Sequence, residues 1–204
     1  MDASFREGMK ALCLVALLAL GCSDTIDVPL PADATEGSGG TIEPTLGLDE
    51  NIADLALSAV VMWQDATGGL YAPHTHIGCD GTETFCIYQV PGMLGQCLGP
   101  DDAGVFNGCC DSDNHEIRLS EGMYLDQMIS TLAHELGHSL GLGHGEAGLM
   151  AVDRSSEERH SPCIDQVTLG AFAARHEVDP ATLAATCYDG DVRTEMLELL
   201  AQKH

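Results

Sequence analysis

The sequence predicts an α+β domain, and three observations predict it. Ile52, Leu55, Ala56, Ala59, Val60 and Trp63 recur at the 3.6-residue spacing of an amphipathic helix. Thr84–Val90 and the shorter Glu116–Leu119 have the β-branched and aromatic content of strands. Leu125, Met128, Ile129, Leu132, Leu136 and Leu140 then form a second helical stripe. Asp49 is placed to cap the first helix. Asp165–His176 reads as a closing helix, with Val167, Leu169, Phe172 and Ala173 available to pack. One domain over residues 48–190 suits a single core.

Within the second stripe lies the stretch that carries chemistry, residues 131–150, ending His-Glu-Leu-Gly-His-Ser-Leu-Gly-Leu-Gly-His-Gly-Glu-Ala-Gly-Leu-Met. His134 and His138 stand one helical turn apart and project from one side, off the apolar stripe. That spacing lets two imidazoles grip one small cation, with metal binding and burial on different faces. Glu135 is placed to reach a water on that cation without ligating it. Gly141 allows the helix to stop in a left-handed turn, which brings back His144 as a third nitrogen ligand. Three imidazoles with one open position describe a catalytic zinc site better than a closed structural one.

His134-Glu135-x-x-His138-x-x-Gly141-x-x-His144, followed by Met150, resembles the metzincin zinc signature with its methionine turn, and the wording is most similar to the matrixin branch. The resemblance is strong over about residues 122–152 and weaker over 50–90 and 163–176. It implies a twisted mixed sheet, a long first helix, an active-site helix, a methionine turn and a C-terminal helix. It also implies that Met150 forms an apolar floor beneath the metal and that an edge strand binds the substrate peptide. The tyrosine and proline that some members carry after the methionine are absent, so no tyrosine is assigned to the reaction. The implied activity is that of a metalloendopeptidase. Zn2+ held by His134, His138 and His144 lowers the pKa of a bound water, and Glu135 acts as general base.

The N-terminus carries Arg6 and Lys10 and then ten apolar residues from Ala11 to Leu20. That run is too short to span a bilayer but fits the core of an export signal. Leu18-Ala19-Leu20-Gly21-Cys22 resembles a bacterial lipobox, so residues 1–21 read as a lipoprotein signal peptide and Cys22 as the lipidated residue. Ser23 after that cysteine favours the outer membrane. Residues 22–47, rich in Ser, Thr, Pro, Gly and Asp, read as a disordered tether that also lacks a cysteine-switch pro-domain. Residues 191–204 read as one more helix or a tail.

Seven cysteines remain besides Cys13 and Cys22, enough for up to three disulfides in an exported domain. Cys79 with Cys86 is a plausible local loop, and Cys163 with Cys187 would tie down the C-terminal segment. The net charge is −24, and loss of residues 1–21 leaves it unchanged, since that segment holds two acidic and two basic residues. Such a balance argues against nucleic acid and anionic lipid surfaces as partners. The membrane is then reached only through the lipid, by a monomer whose partner is a protein or peptide substrate. Asp111-Ser112-Asp113-Asn114 offers oxygens for Ca2+ but lacks the glycine and distal glutamate of an EF-hand loop. His74-x-His76 near Asp80 is faintly similar to the structural zinc loop of matrixins, without the remaining ligands. Two other functions fit the compartment: a lipid-anchored binding or adhesion module that keeps zinc for stability, and a hydrolase of cell-wall peptide cross-links.

Overall fold

The computed structural model describes residues 40–91, 107–111, 113–151 and 160–188. The export signal, Cys22, most of the tether, Cys97, Ser112, residues 152–159 and the expected tail lie outside the described residues.

The sheet has five strands: β1 (Thr45–Leu48), β2 (His74–Ile77), β3 (Phe85–Val90), β4 (Gly108–Asp111) and β5 (Glu116–Ser120). Their order is β2-β1-β3-β5-β4. β2, β1, β3 and β5 are parallel, and β4 runs antiparallel to β5 at the edge. Parallel neighbours need a crossover, which α1 (Ala53–Ala66) supplies between β1 and β2. The period-2 rule puts Leu46, Leu48, Phe85, Ile87, Ile117 and Leu119 on one face, and all are buried. α1 and α2 (Leu125–Ser139) pack on each other and add their stripes to that core. α3 (Gln166–His176) contributes Leu169 and Phe172, and β6 (Cys163–Ile164) before it pairs with β7 (Thr186–Cys187) after it in a small antiparallel ribbon. No helix among the described residues is long and apolar enough to cross a membrane.

The architecture is therefore mixed α/β with a mixed sheet, compatible with the α+β class. Several expectations are corrected. The domain begins before residue 48: Thr45–Leu48 is an internal strand of the sheet, and Ile42 bridges to Tyr71. Asp49 does not cap α1. The N-cap is Ile52, and the Asp49 carboxylate instead accepts from the Asn51 backbone at 2.8 Å. Leu125 and Val167 keep the right helical phase but sit in first turns that overhang the core, and both are exposed. Every residue from Met128 to His138 is buried, so the side of α2 that carries His134 and His138 is not a solvent face.

Disulfides join Cys79 to Cys86 and Cys163 to Cys187. Cys109 is disulfide-bonded as well. Asp111 ends β4 and pairs within the fold. Its carboxylate accepts from Asn114 Nδ2 at 2.8 Å and lies 3.4 Å from the Arg118 guanidinium. Arg118 also pairs with Glu116 and donates to the Tyr88 hydroxyl at 3.0 Å, which ties β3, β5 and β4 together across their outer face.

Candidate metal centre

α2 ends in a Schellman turn built around Gly141. The Leu142 N–H donates to the Gly137 carbonyl at 3.0 Å and the Gly141 N–H to that of His138 at 2.9 Å. Gly141 has φ +76°, the left-handed conformation that the sequence anticipated. The chain then returns so that the His144 ring centroid lies 4.6 Å from that of His138 and 5.4 Å from that of His134. Ligand nitrogens of all three histidines lie within 4.8 Å of one another, two on buried residues and one on exposed His144.

The donor set fits a metal ion. His134 Nδ1 lies 2.6 Å from the Leu149 carbonyl oxygen, and His138 Nδ1 lies 2.8 Å from that of Leu142. A carbonyl only accepts, so each Nδ1 carries the proton and each Nε2 keeps its lone pair. Those two Nε2 atoms face each other at 3.0 Å. Lone pairs at that distance repel unless a positive charge lies between them. Two nitrogens at about 2.0–2.1 Å from one tetrahedral zinc stand about 3.3 Å apart, close to what is seen. Burial, reinforced by nearby His144, pushes the His138 pKa down to about 4 against the opposing Leu142 hydrogen bond. At neutral pH that imidazole is uncharged and able to ligate.

Beneath the helix, Met150 is buried against Gly137. Glycine inside a helix costs about 0.5–1 kcal/mol relative to alanine, so it needs a packing reason. A Cβ on Gly137 would stand 2.5 Å from the Met150 sulfur and 3.5 Å from the Trp63 ring. The Gly145 N–H donates to the Met150 carbonyl at 2.9 Å, which closes the link that carries the methionine. Gly137→Ala is expected to destabilise the domain by about 1–3 kcal/mol through overpacking, against the gain that helix propensity alone would give. Thermal unfolding checks this, and unchanged or increased stability would refute the packing reason.

Three residues of this scaffold escaped the sequence reading. Trp63 was expected simply in the core, but its indole N–H also donates to the Ala133 carbonyl at 2.9 Å, one residue before His134. Asp165 caps α3, accepting from Val167 and Thr168 N–H groups at 2.8 and 3.0 Å. Its other oxygen accepts from the Leu149 N–H at 2.6 Å, and the carbonyl of Leu149 is the one that orients His134. Gly148, at φ +79°, leaves the space that Asp165 occupies. An Asp before a helical stripe signals a cap, but nothing local signals its second partner.

Glu135 is buried, and its carboxylate lies beside β4: a Cβ on Gly108 would stand 2.9 Å from Oε1. The structure thus brings together His134, His138 and His144, with Gly141 in the turn between the last two, while Met150 packs on Gly137 and the Glu135 carboxylate lies beside Gly108. His74 and His76 do not act as a pair; His74 points to Glu43 at 3.7 Å and His76 to Asp80 at 3.8 Å. Searches against protein-family models and against curated proteins return no match for this chain.

Proposed function

We propose that the chain is a zinc-dependent endopeptidase of metzincin type, nearest the matrixins, that hydrolyses internal peptide bonds of extracytoplasmic proteins. The observation that carries this reading is the pair of buried imidazoles, each tied at Nδ1 to a carbonyl, with Nε2 atoms 3.0 Å apart and His144 beside them. His134, His138 and His144 would hold the ion. Zinc bound there supplies Lewis acidity, which lowers the pKa of water towards about 7 and polarises a peptide carbonyl. Glu135 takes the proton of the attacking water on its carboxylate and delivers it to the leaving amine nitrogen. No side chain bonds covalently to the substrate.

β4 supports a path for the substrate by its position. Among the described residues it is an edge strand, it runs antiparallel to β5, and Gly108 brings it against the Glu135 carboxylate. An extended peptide pairing with that edge would pass its backbone by the base. The disulfides support an oxidising compartment, in line with export and an anchor at Cys22. The test is chelation: stripping the metal should abolish cleavage of an unfolded protein, and zinc but not magnesium should restore it. Cleavage indifferent to a strong chelator would end this reading.

A further inference from the structure

A groove of about 250 Å³ lies where the starts of α1 and α2 meet the chain that leaves β7. Leu55 of α1, Leu125 of α2 and Tyr188 give it apolar sides, and Glu50 and Asp54 line it as well. Leu125 opens α2 yet is 47% exposed. Leu55 and Tyr188 are only partly buried against the core. Among the described residues, then, the groove leaves apolar surface to solvent and is lined by two carboxylates and no basic group.

The chain itself carries a segment that matches this surface. Tyr188 is the last described residue, and residues 189–204 follow it. Within them Val192, Met196, Leu199 and Leu200 recur at helical spacing. A helix of so few turns is marginal in water and needs a surface for its apolar stripe. Arg193 flanks that stripe on one edge, whereas Glu195 falls on the other edge and Glu198 on the back. The carboxylates of Glu50 and Asp54 would repel most segments of a chain with net charge −24, but the Arg193 edge brings them a cation. From Tyr188 to Arg193 the chain can reach at most about 17 Å, so the stripe starts close to a groove that Tyr188 itself lines.

We propose that residues 191–202 of the same chain fold back as a helix and seat Met196, Leu199 and Leu200 in this groove, against Leu55 and Leu125, with Arg193 turned to Glu50 and Asp54. Seating them there buries the exposed Leu125 side chain and completes the apolar stripe of α2. It also braces the first turn of the helix that carries His134 and Glu135. The point of departure is fixed: the Cys163–Cys187 disulfide holds β7, and the Tyr188 N–H donates to the Pro162 carbonyl at 2.9 Å. The docking rests on packing and charge, and it holds whether or not the histidines bind zinc.

The test puts a photo-reactive benzophenone side chain in place of Leu125 in the full chain. Light should join that position to residues 191–202 of the same molecule, as read by peptide mapping, and Leu200→Asp should abolish the product. A join to a second copy instead, or to no residue of 191–202, would overturn the proposal. Thermal unfolding decides the matter if the probe disturbs folding. Leu125→Gln and Leu200→Asp should each lower the melting temperature by about 2–4 °C, and the double variant should fall no further than the lower single one. Without docking, Leu125 stays at the surface and the two positions are independent. Single losses near zero, or losses that add in the double variant, would therefore overturn the proposal as well.

Discussion

Glu135→Gln is expected to leave zinc bound and to lower kcat by about 10²–10⁴-fold, the usual contribution of a positioned general base. Glutamine keeps the length and shape of the side chain, which matters because Glu135 is buried and packed beside Gly108. What it lacks is a carboxylate oxygen able to take a proton from water and return it to the amine. Metal affinity should not move, since the three imidazoles and the carbonyls that orient His134 and His138 are untouched. The checks are zinc content, unfolding temperature and the rate of cleavage of an unfolded protein. Full activity in the glutamine variant would remove Glu135 from the reaction. Loss of zinc as well would make its role structural.

Asp165→Ala is the second large effect, although Asp165 stands outside the expected motif. Its carboxylate accepts hydrogen bonds from Val167, Thr168 and Leu149 N–H groups and from the Thr168 hydroxyl at 3.1 Å. Burial pushes its pKa up, yet these hydrogen bonds outweigh burial and hold it below the normal carboxylate value. The stabilisation is therefore complete well above about pH 4, and it is lost as acid takes the carboxyl down through its lowered folded-state pKa. Alanine removes a helix cap, worth about 1 kcal/mol, and weakens the pairing of a half-buried N–H, worth about 1–3 kcal/mol. A net loss of about 2–4 kcal/mol follows. Leu149, left with only the Thr168 hydroxyl at 3.2 Å as acceptor for its N–H, also carries the carbonyl that orients His134, so zinc affinity should fall about 10–100-fold, as for other partners of metal-ligating histidines. Asparagine keeps one acceptor oxygen and should recover part of both losses. An affinity measured on folded protein that stays unchanged in Asp165→Ala would break the link from Asp165 through Leu149 to His134.

How far the sequence could be read depended on the length of each signal. α2 was legible because its apolar stripe runs for four turns, and the histidine spacing with Gly141 fixed both the helix and its end. β3 and β5 were legible from composition, to within one residue at one end of each. β1 and β2 were not. Four residues are too few for a period, and β1 contains a glycine and follows Pro44, so it resembled tether. β2, His-Thr-His-Ile, is largely exposed at the sheet edge and carries no apolar alternation. β4 is a further four-residue strand, Gly-Cys-Cys-Asp, that no propensity marks. The cysteine pairs Cys79–Cys86 and Cys163–Cys187 were readable as proximities, and the second now appears as a register pair of β6 and β7.

For the metal centre, the ligand-type residues were visible from spacing while their supports were not. Gly137 looked like a variable position between two histidines, and only the packed Met150 sulfur explains it. Trp63 and Asp165 act across 70 and 16 residues of chain respectively, distances at which local pattern carries no information.

The most direct measurement is zinc per chain and cleavage of an unfolded protein, taken together on the purified chain and on His138→Ala. The account predicts that the variant loses one equivalent of zinc and all hydrolysis at once. Hydrolysis that survives in the variant, or a folded parent chain that binds no zinc, would contradict it.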